Sequence, residues 1–441
     1  MKKYLFILLS LNLSFSQSQV FELLDSNQTG VEFNNLIEDK KEHNILLYAN
    51  YYGGGGVGIA DFDNDGLQDI YFGGNLVSDV IYRNLGDFKF EDKTINSGIN
   101  DNGSWSSGVT IADVNNDGLV DVYVSKELYD DKPELRRNKL YINKGNFTFE
   151  ESSKSWGVDV SARTRHAVFF DYNNDGHLDL YLLNQPPNPG SYSKFFGSDL
   201  TLPEYSLQLF RNTGSNSFID VTEEAGLKRT GFPNSVVASD LNNDGLVDLY
   251  VANDFEAPDF LYFNNGDGTF SYETESSLKH TSFYSMGVDS ADINNDGELD
   301  IMVVDMTAED NFRLKSNMSG MNPSAFWKVV EDGGHFQYMF NTLQINNGDK
   351  TFSDVAQYTK TSSTDWSWAN LIADFDNDGL KDIYVTNGLL RDIRNTDADK
   401  KVGEFVLKIA DDYVKKNKTF DYNLWDILPL DKALELVPSV K

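Results

Sequence analysis

Six times the chain runs through a nine-residue acidic loop of the form Asp-x-(Asp/Asn)-Asn-Asp-Gly-x-x-Asp. The copies span 61–69, 113–121, 171–179, 240–248, 292–300 and 374–382. A motif that returns every ~50–80 residues marks a chain built from one supersecondary unit stacked many times, so the fold is an array. Oxygen-bearing side chains at every second position suit a hard cation. The glycine at the sixth position supplies the tight turn that aims them inward.

Each acidic loop lies between two short runs rich in β-branched and aromatic residues. Val57-Gly58-Ile59-Ala60 precedes the first and Ile70-Tyr71-Phe72 follows it; Val109-Thr110-Ile111-Ala112 and Val122-Tyr123-Val124 flank the second. Such runs read as strands joined through the loop. A second phrase follows in the first five units, as in Ile81-Tyr82-Arg83-Asn84 with Phe88-Lys89-Phe90, or Leu261-Tyr262-Phe263-Asn264 with Gly266-Asp267-Gly268-Thr269-Phe270. Gly and Asn between strand runs mark a tight hairpin. Four strands per unit predict an all-β fold, a β-propeller of four-stranded blades with a short C-terminal helical segment.

The expected organisation is a signal peptide at 1–16, a propeller at 17–390, and a helical extension or insertion at 391–441. Pro186 to Pro203 and Met306 to Tyr338 read as insertions, the second with a short helix near Ala325 to Val330. Val402, Phe405, Val406, Ile409, Ala410, Tyr413 and Val414 fall at helical spacing. Val20-Phe21-Glu22-Leu23-Leu24, followed by Thr29-Gly30-Val31, echoes the outer-strand phrase Phe218-Ile219-Asp220-Val221 with Ala225-Gly226-Leu227. An orphan outer strand at the start suits ring closure. The sixth unit has its acidic hairpin but no second hairpin, so the expectation is a shortened form of a longer, seven-bladed protein.

Counting the first Asp as position 1, side-chain oxygens come from positions 1, 3, 5 and 9, and position 7 offers its backbone carbonyl. The predicted ligands in loop one are Asp61, Asp63, Asp65, Leu67 and Asp69. Loop two has Asp113, Asn115, Asp117, Leu119 and Asp121; loop three has Asp171, Asn173, Asp175, His177 and Asp179. Loop four has Asp240, Asn242, Asp244, Leu246 and Asp248; loop five has Asp292, Asn294, Asp296, Glu298 and Asp300. Loop six has Asp374, Asp376, Asp378, Leu380 and Asp382. The ion expected is Ca²⁺, bound most tightly in loops one and six, where position 3 is Asp rather than Asn. Two carboxylates ~4 Å apart repel by ~4 kcal/mol at an effective dielectric of 20, so these loops should resist closing without a cation. A helix–loop–helix calcium hand is excluded, because it needs Glu at position 12. That position here holds Phe72, Val124, Leu182, Val251, Val303 or Val385, each inside a strand run.

These loops resemble FG-GAP/VCBS repeats, like those of integrin alpha-chain propellers. The order of the whole chain is similar to that of bacterial relatives of cartilage acidic protein. Shared features include Trp105-Ser106-Ser107-Gly108-Val109, Tyr284-Ser285-Met286-Gly287-Val288-Asp289 and Asp365-Trp366-Ser367-Trp368-Ala369. The resemblance implies a ring that is usually seven-bladed and an extracellular binding or adhesion role. It implies no reaction.

Composition narrows the partners. A net charge of -32 over 441 residues argues against nucleic acid and against an anionic membrane surface. With no cysteine, disulfides and thiol chemistry are excluded. Lys2 and Lys3 before the apolar run Tyr4 to Leu13, then Ser14-Phe15-Ser16, read as an export signal. No later stretch reaches the ~18 apolar residues of a membrane span. The expected location is outside the cytoplasm: extracellular, at the cell surface or in the periplasm.

Eight residues before each first Asp stand Gly53, Trp105, Arg163, Phe232, Tyr284 and Trp366. As a candidate ligand ring, Trp105, Arg163, Phe232, Tyr284 and Trp366 could hold a sugar or peptide at the channel mouth; aromatic packing between blades explains the same positions without a ligand. Gly53 to Gly56 lacks the Lys and helix of a phosphate loop and reads as close backbone approach. The five histidines, His43, His166, His177, His280 and His335, are scattered. The reading is therefore a secreted calcium-binding propeller that binds extracellular glycan or protein. The alternative is a calcium-dependent polysaccharide lyase or hydrolase that uses His166 beside Arg163 and Arg165.

Overall fold

The computed structural model describes residues 21–48, 50–101, 103–186, 205–255, 257–317 and 323–438. The expected signal peptide, Val20 and nearly all of the first insertion lie outside the described residues.

Among the described residues five antiparallel four-stranded sheets and a sixth, two-stranded one follow one another along the chain, each a meander whose strands pair in chain order; a separate short parallel pair, Thr281–Ser282 with Gln337–Tyr338, accompanies the fifth. The first contains Val57–Ala60, Asp69–Phe72, Val80–Asn84 and Phe90–Asp92. The second begins at Trp105–Ala112, the third at Thr164–Phe170, the fourth at Pro233–Ser239 and the fifth at Val288–Ala291. The sixth holds only Ser367–Ala373 and Asp382–Asn387. In each of the six meander sheets the first two strands pair so that the residue before the loop faces its last Asp, as Ala60 faces Asp69 and Ala373 faces Asp382. All six loops therefore leave the sheets in one register.

The first strands of successive sheets lie side by side. At Gly108 a Cβ would come within 3.0 Å of the Arg165 carbonyl oxygen, so the backbones themselves set the spacing there. The sheets thus radiate as blades from a common axis, giving a β-propeller. The core is not one mass but a series of wedges. Separate buried clusters join blades one and two, two and three, three and four, four and five, and five and six. Position 2 of each of the first four loops supplies an anchor to the next blade's outer strand. Phe62 meets Phe149 edge-on at 5.9 Å and Tyr172 meets Phe270 at 6.4 Å, while Val114 and Leu241 share clusters with Phe218 and Phe352.

The same relations recur at the N-terminal segment. Phe21 lies edge-on to Phe375, position 2 of loop six, at 5.5 Å. Gly30 sits where a Cβ would be 2.5 Å from the Phe90 carbonyl oxygen, as Gly98 sits against Phe149. The Glu32 N–H donates to the Tyr82 hydroxyl as Asn100 N–H does to Tyr141. Residues 21–32 therefore take, between blade six and blade one, the place an outer segment holds elsewhere. Phe21 to Leu24 is not a strand, however, contrary to the expectation. Among the described residues no third strand pairs with it, and a capped turn, Ser26–Thr29, follows directly. The flanking faces are correspondingly open: Val57 and Ile59 of blade one and Leu371 and Tyr384 of blade six are exposed.

The helical expectations are met by Pro323–Glu331 and by Thr396–Asn417, the latter capped by the Asn395 side chain on the Ala398 N–H. Two further short helices, Leu424–Ile427 and Leu430–Leu434, follow. Leu434 joins Tyr51 and Trp105 in a separate buried cluster.

A recurring asparagine, at the end of the third strand, locks neighbouring blades. In blade three the Asn212 N–H donates to Asp179 at 2.8 Å. Its side-chain amide donates to the Val114 carbonyl of blade two at 2.9 Å and to the Leu178 carbonyl at 3.1 Å, and its side-chain oxygen accepts from Gly214 N–H. Asn143, Asn264 and Asn346 repeat the cross-blade bond, to Phe62, Tyr172 and Leu241. Replacing Asn212 with Ala leaves buried carbonyls without a donor; we expect a loss of roughly 2–5 kcal/mol in equilibrium unfolding. A loss below ~1 kcal/mol would show that the bond does not hold the blades.

Candidate functional site

The acidic loops are built alike. Position 4 is Asn in every copy and adopts a left-handed conformation, from φ 57° at Asn64 to 61° at Asn377; the glycine at position 6 follows at 81–93°. Asn tolerates that region through its short polar side chain. The position 1 carboxylate then accepts the N–H groups of positions 5 and 6, as Asp61 does at 3.1 and 2.7 Å. Position 5 accepts from position 7, as Asp65 does from Leu67 at 2.9 Å. Position 4 also reaches sideways: Asn64 donates to the Gly118 carbonyl and Asn116 to the Gly176 carbonyl of the following loops.

These turns gather carboxylates. Oxygens of Asp61, Asp63 and Asp65 lie within 4.8 Å of one another, as do those of Asp374, Asp376 and Asp382. In loop one Asp63 Oδ1 is buried with no hydrogen-bond partner, and in loop four both side-chain polar atoms of Asn242 are in the same state. Buried oxygens without donors fit a cation. Loops two, three and five differ, because Asn115, Asn173 and Asn294 donate to the position 5 carboxylates at 2.8–2.9 Å. Loop one carries its own counter-charge: the Arg83 guanidinium is 2.8 Å from Asp63 and 3.0 Å from Asp65.

Position 9 has a second occupation. In the first five loops it is almost fully buried. One oxygen accepts the N–H of position 2 and the other that of the third-strand Asn, as Asp121 does from Val114 at 3.0 Å and Asn143 at 2.8 Å. Burial raises Asp121, Asp179 and Asp248 to about 7 and Asp69 to about 6, against the pull of those backbone donors. Asp382 accepts only from Phe375 N–H among the described residues and is exposed, because blade six has no third strand there.

The five residues of the candidate ligand ring do not come together. Trp105 is fully buried, stacked on Tyr51 at 5.2 Å and edge-on to Tyr48. Arg163 is paired with Asp130. Phe232 is buried edge-on to Phe255 at 5.0 Å. Only Tyr284 and Trp366 share a cavity, of about 140 Å³, with Phe255, Met286, Met306, Trp368 and Ile393 on its apolar side and Asn50, Asp254, Arg394 and Asp399 on its polar side. It lies where first strands begin, opposite the acidic loops. Sequence reasoning missed Asp254 and Arg394, which belong to no repeat. Gly53 meets the Arg165 guanidinium, which pairs with Glu127 at 3.1 Å, so the glycine run does serve close approach. Burial, then the Arg165 charge, lowers His166 to about 4, and its Nδ1 is buried without a partner. With both arginines engaged by carboxylates, Arg163, Arg165 and His166 do not form a cationic cluster open to substrate.

Residues 45–124, 130–182, 200–251, 240–303 and 329–385 match the FG-GAP-like repeat. Cartilage acidic protein 1 of Homo sapiens is 22% identical over 379 residues, covering 76% of this chain and 56% of that protein. The Xenopus tropicalis protein is 24% identical over 380 residues, covering 76% and 57%. The chain thus spans a little over half the length of these curated relatives. Among solved structures, an Agrocybe aegerita lectin described as recognising non-reducing terminal N-acetylglucosamine aligns with a TM-score of 0.43 and 17% identity, over 75% of this chain and 73% of that one. A fructofuranosidase of Schwanniomyces occidentalis aligns at 0.34 and 11%, over 76% and 60%. Neither likeness is close enough to say what this chain binds. No helix among the described residues is long and apolar enough to cross a membrane.

Burial raises the Asp254 carboxyl to about 7; its bond from Phe255 N–H pulls the other way and the Asp305 charge adds to the rise. The folded state then keeps a proton that the unfolded chain releases above its ordinary value of 3.8. Stability conferred by that proton is full at low pH and is lost as pH climbs toward about 7. In chelator, denaturant melts should therefore show Asp254→Asn narrowing the stability gap between pH 5 and pH 8. An unchanged gap would place the titration elsewhere.

Proposed function

The chain belongs to the FG-GAP-like repeat family, and on that premise we propose that it is an exported, calcium-stapled propeller that binds glycan or protein outside the cell. The calcium reading rests above all on the unpartnered Asp63 Oδ1, buried beside the Asp61 and Asp65 carboxylates. Positions 1, 3 and 5 of each loop would hold the ion with the position 7 carbonyl, and position 9 would add an oxygen while keeping its structural bonds. Calcium supplies positive charge that turns carboxylate repulsion into coordination. The protein's own part is to hold the turn open to it: the left-handed Asn and Gly shape the loop, and backbone N–H groups fix the carboxylates of positions 1 and 5.

The ion's role in this reading is mechanical. The loops neighbour one another through the position 4 asparagines, so charge left uncompensated in one strains the next. A site at about 100 times its Kd contributes about 2.7 kcal/mol. A net charge of -32 favours neutral or cationic partners over nucleic acid.

Three outcomes test this. Chelation should lower the melting temperature by several degrees, with recovery on adding calcium, and calorimetry should register heat on titrating calcium into stripped protein; silence in both would refute the reading. Arg83→Ala should strengthen calcium binding at loop one, because the cation no longer competes with the guanidinium; weaker binding would mean that Arg83 supports the site instead. A glycan and protein array, probed with and without EDTA, should show calcium-dependent retention of at least one ligand.

A further inference from the structure

We propose that the cavity between Asp254, Trp366 and Arg394 is a binding site for one neutral pyranose ring of a glycan. This rests on the glycan-binding reading and assigns it a place, on the face away from the acidic loops.

One buried donor lines the cavity without an acceptor, and one buried carboxylate lines it without a cationic partner. Trp366 is 4% exposed, and its indole N–H is buried with no hydrogen-bond acceptor. Asp254 is 5% exposed; it accepts from the Phe255 N–H and from the Asn234 side chain, and no described basic side chain forms an ion pair with it. A buried donor left this way costs stability unless something else satisfies it, and a buried carboxylate without a cation keeps acceptor capacity for a ligand. At the mouth stands Arg394, whose charge acts on both Asp254 and Asp399. It makes no direct hydrogen bond or ion pair among the described residues.

The charges choose between ligand classes. A guanidinium at the rim opposes a cationic ligand, and the Asp399 carboxylate, joined by Asp254 once it ionises, opposes an anionic one. A neutral polyol is compatible with all three, because vicinal hydroxyls both donate to carboxylates and accept from guanidinium and indole N–H. The walls add the second requirement. Tyr284, Trp366 and Trp368 present aromatic surface suited to the C–H face of a sugar. Size sets the third: a cavity of about 140 Å³ is close to one that takes a single six-membered ring. The cavity also joins segments far apart in the chain, since Asn50, Ile393, Arg394 and Asp399 line it beside blades four to six. Only the assembled ring has it.

The test uses the intact calcium-loaded protein and a panel of neutral methyl pyranosides, with glucuronate and tetramethylammonium as charged comparisons. Saturation-transfer NMR should show at least one neutral glycoside bound. Trp366→Phe, which keeps the wall and removes the N–H, and Asp254→Asn should each weaken it about tenfold, the effect of one charge-assisted or buried hydrogen bond. Melting curves establish that each variant is folded; Asp254→Asn serves alone if Trp366→Phe is not. The site is overturned if no neutral glycoside binds, if both charged probes or either one binds more tightly than every sugar, or if binding survives both substitutions. Glycan retention on the array that persists in both variants would sink this cavity alone and leave the propeller's binding role standing.

Discussion

A buried aspartate at the end of each of the first five acidic loops, bonded to an asparagine one strand away, is the interaction on which the ring depends. Asp121, Asp179, Asp248 and Asp300 each accept one N–H from their own loop and another from that asparagine. The asparagine side chain then crosses to the preceding blade. A carboxylate with no water pays for its burial in this way, through backbone donors that only a correctly paired sheet provides. Loop geometry, strand register and blade spacing are therefore set together, and none can shift alone.

The consequence is a division between the two faces. On one face six loops crowd exposed acids within reach of one another, linked sideways by the position 4 asparagines. That arrangement favours divalent cations and tolerates a local substitute, as Arg83 shows in loop one. On the other face the strand starts are covered by the chain's own ends. There several charged groups are buried, among them Asp79 against Lys126 at 3.2 Å, Glu127 against Arg165, and Asp254 without an ion-pair partner among the described residues. The first two are paired and structural; the third opens onto a cavity.

Much of this was readable in advance because it is local. The run Val57 to Ala60 is a strand, the hairpins fall where Gly and Asn cluster, and the last apolar pattern is a helix. The asparagine lock was visible as a repeated letter at the end of Tyr82-Arg83-Asn84 and its cognates, but its meaning lay in a carbonyl of another blade. Phe21 to Leu24 was read as a strand from its residues and is none, since pairing is a property of two segments. Trp105 and Trp366 hold the same register position, yet one is sealed under Tyr48 and Tyr51 and the other lines a cavity.

What the sequence by itself determined was the repeating unit: alternating oxygens, a left-handed Asn, a glycine and two strand runs, all within a dozen residues where φ/ψ preference and side-chain period act directly. What only the tertiary structure decided was which of those units share a wedge, which acids are buried, and which aromatic lines a cavity. Those outcomes depend on segments hundreds of residues apart, and burial is set by what finally covers a side chain rather than by the side chain itself.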